Sequence, residues 1–274
     1  MEQLNEERLK IAETQLKDLF PQSMQVYGYI FQKNRAKDDQ VHVLVDRWPD
    51  FNVVICQPVN QGESHFIEMC VFTKDEAILR NILEETNMIE WSNFFCLGTS
   101  LCHGEVVVAA AWERKVAGNK VAVCHMMTLQ DPSRLPPVDS IIESKISSLD
   151  ETHADLVNKT WKFGMSESSL GKIRNMIRHY PSCCVLNAEN QQPIAWILTY
   201  PSCAIGMLYT LPEHRGKGLA RALVNSMSRR LYAEGFPVYC FIEEGNTMSH
   251  SLFTSLGFTE DPQYREAWFN FNSL

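Results

Sequence analysis

The sequence predicts an α/β protein of the α+β type: a mixed central sheet flanked by helices in the carboxy-terminal half, preceded by an amino-terminal mixed α/β domain. Three observations predict it. Beyond residue 140, short apolar runs alternate with longer amphipathic segments, as strands and helices do when they take turns. Between the apolar run Ile205 to Tyr209 and a segment with Leu219, Ala222, Leu223, Ser226, Met227 and Leu231 at helical spacing stands the turn Gly216-Lys217-Gly218. The segment Gln130 to Val138, with Asp131-Pro132 and Pro136-Pro137, breaks both periodicities and reads as a linker dividing the chain into domains 1–135 and 140–274.

The amino-terminal elements follow from spacing. Met1 to Phe20 reads as an acidic amphipathic helix, with Leu9, Ala12, Leu16, Leu19 and Phe20 three and four apart. Gln25 to Gln32, Val41 to Asp46, Asn52 to Gln57 and His65 to Thr73 read as short strands between polar or proline-bearing turns. Lys74 to Glu85 reads as a helix, Glu105 to Ala117 fits helix or strand, and Lys120 to Met127 reads as a strand.

In the carboxy-terminal domain, Ser144 to Leu149 reads as a strand, and His153 to Trp161 and Ser169 to Tyr180 as two helices. Ser182 to Leu186 and Ile194 to Thr199 read as a hairpin, and Ala204 to Thr210 as a further strand. After the glycine turn and its helix come a stop at Gly235, the strand Pro237 to Glu243, a helix over Asn246 to Leu256 stopped by Gly257, and a final pair of strands.

With 274 residues, 45% of them apolar, the chain can bury a sizeable core. Its net charge of −8 is uneven: 11 basic and 12 acidic residues from Asp150 onward leave 14 and 21 before it. That balance argues against nucleic acid or an anionic membrane surface as a partner, since both select positive surfaces. The nine cysteines, an odd number without a Cys-x-x-Cys pair, read as reduced thiols, and no run approaches the roughly 20 apolar residues of a membrane span. Cys183 and Cys184 read as part of a buried strand. No metal site is expected.

The glycine turn carries the chemistry. The first N–H groups of a helix lack partners within it and sit at the positive end of its dipole, so an anion docks there. Arg215, Lys217, Arg221, Arg229 and Arg230 occur with no acidic residue between Glu213 and Glu234. A Walker A loop would need glycine at Leu211 and Ser or Thr at Gly218, and a dinucleotide fingerprint would need glycine at Arg221. Both motifs fail. What remains, Arg215-x-x-Gly218-x-Ala220, resembles the acyl-CoA pyrophosphate turn of the GNAT superfamily of N-acyltransferases. Asn246-Thr-Met-Ser-His-Ser-Leu-Phe-Thr-Ser-Leu-Gly-Phe258 is similar to a second motif of that superfamily, and the order of elements matches its fold.

Over nearly its full length the chain resembles the glycine N-acyltransferases. Phe20-Pro21, Val26-Tyr27-Gly28 and Val45-Asp46-Arg47-Trp48-Pro49-Asp50-Phe51 carry the likeness in the first domain. Thr152 to Trp161, Phe163-Gly164, Tyr180 to Cys184, Thr210 to Arg215 and Gly235 to Tyr239 carry it in the second. The resemblance implies a GNAT fold in the second domain and a degenerate GNAT-like half in the first. It also implies transfer of an acyl group from acyl-CoA, the co-substrate, to the amino group of glycine, with no permanently bound cofactor. Another amine such as glutamine, or an acyl-CoA-binding protein without catalysis, stands as the alternative. A monomer is expected. The mitochondrion follows from the resemblance alone, with the cytoplasm as the other location; the acidic first helix lacks the Arg-rich character of an import presequence.

For acyl-CoA, the expected contacts are Leu208, Tyr209, Thr210, Arg215, Gly216, Lys217, Gly218, Leu219, Ala220 and Asn246. A backbone N–H around Leu208 to Thr210 would meet the oxyanion. The amine must lose a proton, and one with a pKa about two units above ambient pH is roughly 1% neutral. In the resemblance the general base falls at Ala204 and the acid at Phe253, and neither side chain transfers protons. Glu243, Glu244 and His250 are the replacement candidates. Glu213 and His214 read as exposed loop residues and His153 as a packing histidine, while Lys159, Arg178 and Arg265 are candidates for glycine's carboxylate.

Overall fold

The computed structural model describes residues 1–36, 41–59, 67–85 and 89–272. The chain forms two compact units, Met1–Met126 with Asp261–Leu274, and Met127–Glu260. In the first, β1 (Glu2–Gln3), α1 (Glu6–Lys17), α2 (Met24–Ala36), β2 (Val41–Val45), β3 (Val53–Pro58), β4 (Glu68–Thr73), α3 (Glu76–Glu85), β5 (Phe95–Ser100), α4 (Gly104–Glu113) and β6 (Gly118–Thr128) follow in order. The second holds α5 (Ser140–Glu143), β7 (Ile146–Ser147), α6 (Ala154–Thr160), α7 (Glu167–His179), β8 (Ser182–Leu186), β9 (Pro193–Thr199), β10 (Ile205–Thr210), α8 (Leu219–Ala233), β11 (Tyr239–Glu243), α9 (Thr247–Ser255) and β12 (Thr259–Glu260). β13 (Glu266–Phe271) returns to the first unit, where it lies antiparallel between β5 and β6.

From β1 to β6 and from β7 to β12 the chain runs through one succession: strand, two helices, three strands, helix, strand, helix, strand. The first half is therefore a second copy of the same plan, as the degenerate GNAT-like half expected from the sequence. The copies differ where it matters. In the first, β4 and β5 run parallel through four paired positions, Glu68 opposite Cys96 to Val71 opposite Thr99. In the second, β10 and β11 share one pair, Ile205 opposite Cys240.

Several elements depart from the sequence reading. Gln25 to Gln32 is helix, because Val26, Tyr27, Ile30 and Phe31 are spaced for one helical face and all four are buried. β5 carries no alternating signal; Gly98 lies within it because a Cβ there would meet Gln25 Oε1 at 2.8 Å. Glu105 to Ala117 resolves as the helix α4, and Ser144 to Leu149 holds only the two-residue β7. The expected strand His65 to Thr73 begins outside the described residues and is β4 from Glu68.

The linker expected over Gln130 to Val138 is a packed strap. Leu129 and Leu135 are buried in the second unit's core, Asn225 Nδ2 donates to Pro136 O at 2.5 Å, and Arg229 Nη2 donates to Leu135 O at 2.7 Å. The compact second unit accordingly starts at Met127, ahead of the residue 140 expected from the prolines, and ends at Glu260. Among the described residues no helix is long and apolar enough to cross a membrane.

Candidate active site

Beyond the pair Ile205–Cys240, β10 and β11 part, leaving an opening between residues 206–210 and 241–243. β10 also bulges: Gly206 faces Leu198 and Tyr209 faces Trp196, so three steps on β10 match two on β9. Met207 takes φ +50° there. A bulge removes a residue from the ladder and frees its backbone polar groups.

The strand leads into the glycine turn. Gly216 has φ +74° and Gly218 φ +77°, values that cost any residue with a Cβ. Gly218 is the N-cap of α8 and supplies no side-chain cap, so the first amides of that helix face outward without a side-chain acceptor. Space above the turn is open: a Cβ on Gly216 would meet nothing within 4 Å. Arg215 Nε donates to Thr210 O at 3.1 Å, and its guanidinium lies 5.6 Å from the Tyr209 ring centre. Lys217 Nζ donates to Glu213 O at 3.2 Å, and Arg221 Nη2 to Ser255 Oγ at 2.8 Å. The structure thus brings Leu208, Tyr209, Thr210, Arg215, Gly216, Lys217, Gly218, Leu219 and Ala220 into one strand-turn-helix unit with an uncapped, positively charged mouth.

The equivalent turn of the first unit is closed to anions. Asp75 Oδ1 accepts from Ala77 N at 2.9 Å and Ile78 N at 3.3 Å, so a carboxylate already occupies the start of α3.

Other expected residues separate. Asn246 caps α9, its Oδ1 accepting from Ser249 N at 3.1 Å. Ala204 is buried and its carbonyl accepts from Tyr200 N at 2.8 Å; Phe253 is buried edge-on to Phe258. Both are apolar packing positions. Glu243, at the end of β11, accepts from Lys162 Nζ at 2.5 Å, and Glu244 is exposed. His250 Nε2 lies 2.8 Å from Glu260 Oε1. The sequence reading missed Glu260, which only the folding-back of β12 brings to α9.

Among the cations considered for a carboxylate, Arg178 makes a two-point contact with Glu151 at 2.9 and 2.6 Å, and that contact holds the Glu151 carboxyl below its ordinary range. Arg265 donates to Pro262 O and Tyr264 O in the first unit, and Lys159 is exposed on α6. Arg230 pairs with Glu234 at 2.9 Å, so with Arg229 on the strap neither is given over to the ligand. His153 is buried, its Nδ1 accepting from Asp150 N at 3.1 Å, as a packing histidine does. Glu213 is exposed and His214 half-buried in the turn. Burial pushes the Cys184 thiol up to about 12 and raises that of Cys183, which keeps both protonated and unreactive.

A three-layer α/β unit, with α8 on one face of the sheet and α6 and α7 on the other, whose parallel strands part beside an uncapped glycine turn defines an acyl-CoA-dependent N-acyltransferase of GNAT fold. The chain belongs to the aralkyl acyl-CoA:amino acid N-acyltransferase family, whose amino-terminal model matches residues 1–181; an FR47-like model matches residues 185–268. It is 29% identical to rat glycine N-acyltransferase over 274 residues, covering 90% of this chain and 91% of that one. It is 30% identical to bovine glycine N-phenylacetyltransferase, covering 89% and 91%. A Drosophila protein of known structure shares the fold with a TM-score of 0.79 at 21% identity, covering 98% of this chain and 97% of its own. The protein is therefore an acyltransferase that uses acyl-CoA as co-substrate.

Proposed function

We propose that the protein transfers an acyl group from acyl-CoA to the amino group of glycine by direct attack within a ternary complex. The observation that carries this is the uncapped turn Arg215 to Gly218 at the mouth of the opening between β10 and β11. The pyrophosphate lies on the first amides of α8, with Arg215 and Lys217 beside it, and the pantetheine arm enters between the parted strands. A backbone N–H of the β10 bulge, at Leu208, meets the oxyanion as the amine adds to the thioester carbonyl; the tetrahedral intermediate then collapses and the thiolate leaves.

The proton goes to His250, held by Glu260. Of the three candidates it alone is an imidazole, the usual side chain for such a transfer, and it has a carboxylate partner that fixes the ring. Glu243 is committed to Lys162. Glycine as acceptor is supported by the relatives, two of which are named for glycine as substrate.

The test is purified protein with benzoyl-CoA and a panel of amines, following free thiol. Release with glycine and not with glutamine is the expected result. Release with glutamine alone would replace the acceptor, and binding of acyl-CoA without release for any amine would overturn the reaction.

A further inference from the structure

The carboxylate of an amino-acid acceptor needs a cation, and α7 offers one that the sequence reading passed over. Arg174 and Arg178 of this helix join it to α6 and the turn before α6, at 3.6 Å from Asp155 and 2.6 Å from Glu151. Lys172 reaches the sheet. Its ammonium lies 5.5 Å from the ring centre of Tyr200, the residue after β9, and 5.4 Å from that of Trp161, which caps α6. Two aromatic rings within 6 Å of one ammonium attract it and fix where it stands.

Tyr200 is itself fixed against the opening. It begins the tight turn from β9 to β10, its N–H donating to Ala204 O at 2.8 Å and its carbonyl accepting from Cys203 N at 2.9 Å. The Ser202 carbonyl of that turn accepts from the Tyr239 hydroxyl of β11. A Cβ on Gly206 would stand 2.5 Å from the Tyr200 ring, so the ring lies on bare backbone of β10. Gly206 is the first residue of β10 past its pair with β11. Lys172 thus stands one ring away from the point where the strands part.

Leu208 of β10 packs with α8 on one face of the sheet, whereas Trp161, Tyr200, Met207 and Tyr209 pack with α6 and α7 on the other. The ammonium therefore lies on the side opposite α8. The coenzyme's phosphates belong to the start of α8, so the anionic group that comes to this other face is the acceptor's carboxylate. Resting on the acyl-transfer reading above, we infer that Lys172 receives the carboxylate of the acceptor amino acid and directs its amine to the parted strands. It selects α-amino acids over amines that lack a carboxylate. Half-buried between two rings, the ammonium is partly out of water, where its attraction for a carboxylate is stronger.

Steady-state kinetics of the full chain with saturating benzoyl-CoA test this, with glycine and ethanolamine as acceptors and Lys172→Met and Lys172→Arg as variants. Ethanolamine has a hydroxymethyl group where glycine has its carboxylate, and an amine of similar basicity. The wild type should favour glycine in kcat/KM by about tenfold or more, the scale of one hydrogen bond between charged groups. Lys172→Met should raise the KM for glycine by about tenfold or more and leave ethanolamine and the KM for benzoyl-CoA within about threefold. Lys172→Arg should recover most of the loss, since a guanidinium also pairs with carboxylate. An unchanged glycine-to-ethanolamine ratio in Lys172→Met, whether both rates fall or neither does, would overturn the assignment. Should that variant fail to fold, Lys172→Gln, which keeps part of the stem between the rings, reads the same ratio. A wild type that acylates both amines equally refutes this inference alone, whereas one that releases thiol with no amine refutes the underlying reading as well.

Discussion

Ile205 of β10 and Cys240 of β11 face each other in the one pair that joins these parallel strands, and the strands part immediately beyond it. In the first unit the matching strands stay paired for four positions. A cleft exists in the second copy of the plan because its ladder is abandoned early, and the bulge at Met207 starts that departure. The site predictions follow from this relationship.

Gly218→Asp should remove acyl-CoA binding while leaving the fold in place. The new carboxylate stands at the start of α8, where Asp75 already stands in the first unit, and repels phosphate. The affinity for CoA should fall by about 100-fold or more, roughly 2.7 kcal/mol, with the far-ultraviolet circular dichroism unchanged. Unchanged affinity would place the pyrophosphate elsewhere.

His250→Ala should lower kcat by on the order of 10²-fold, the usual worth of a positioned base, with little change in the KM for acyl-CoA. Glu260→Gln should lower it less, since the ring keeps a hydrogen-bonding partner. If kcat of His250→Ala stays within about threefold of the wild type, the proton goes to another group.

Glu266 of β13 makes stability depend on pH. Burial pushes its carboxyl up to about 8 from an ordinary 4.5, against the opposing hydrogen bond from Tyr264, so the folded chain holds a proton that the unfolded chain releases. The stability it contributes is present below about pH 4.5 and is lost as pH rises to about 8. The wild type should therefore lose up to a few kcal/mol across that window relative to Glu266→Gln. Melting temperatures at pH 5.5 and 8.5 read this directly: parallel behaviour of the two proteins would show that Glu266 is ionised in the folded state.

Deleting residues 261–274 should unfold the first unit. β13 fills the place between β5 and β6, pairing with both, and its Ala267, Phe269 and Phe271 are buried in that unit's core. Losing it opens two ladders and empties three core positions, a change well beyond the usual stability of a domain. Limited proteolysis should then cut within residues 1–126 at least tenfold faster than in the full chain; equal rates would mean that the strand is dispensable.

The sequence was most legible where one local rule decides the outcome. Gly216 and Gly218 announce a left-handed turn because glycine alone adopts it at little cost, and Leu219 to Leu231 announce the following helix by their spacing. Asn246 was legible as a helix start, but not the fact that its Oδ1 accepts from Ser249 N to cap α9. α2 was misjudged because its apolar residues come in adjacent pairs, which a short window reads as a strand until the packing partner is known.

The sequence by itself determined the order of elements from the first helix of the carboxy-terminal half onward, the glycine turn and the apolar side chains at Ala204 and Phe253 that take proton transfer away from those positions. Tertiary structure alone decided the rest. Glu260 meets His250, Lys162 meets Glu243, and β13 returns to the first unit, because each partnership is set by chain reversals that carry no local signal. Above all, it decided that β10 and β11 part. Parallel strands are joined through a crossover helix, so how far their ladder extends depends on how the whole sheet packs and not on either strand's sequence.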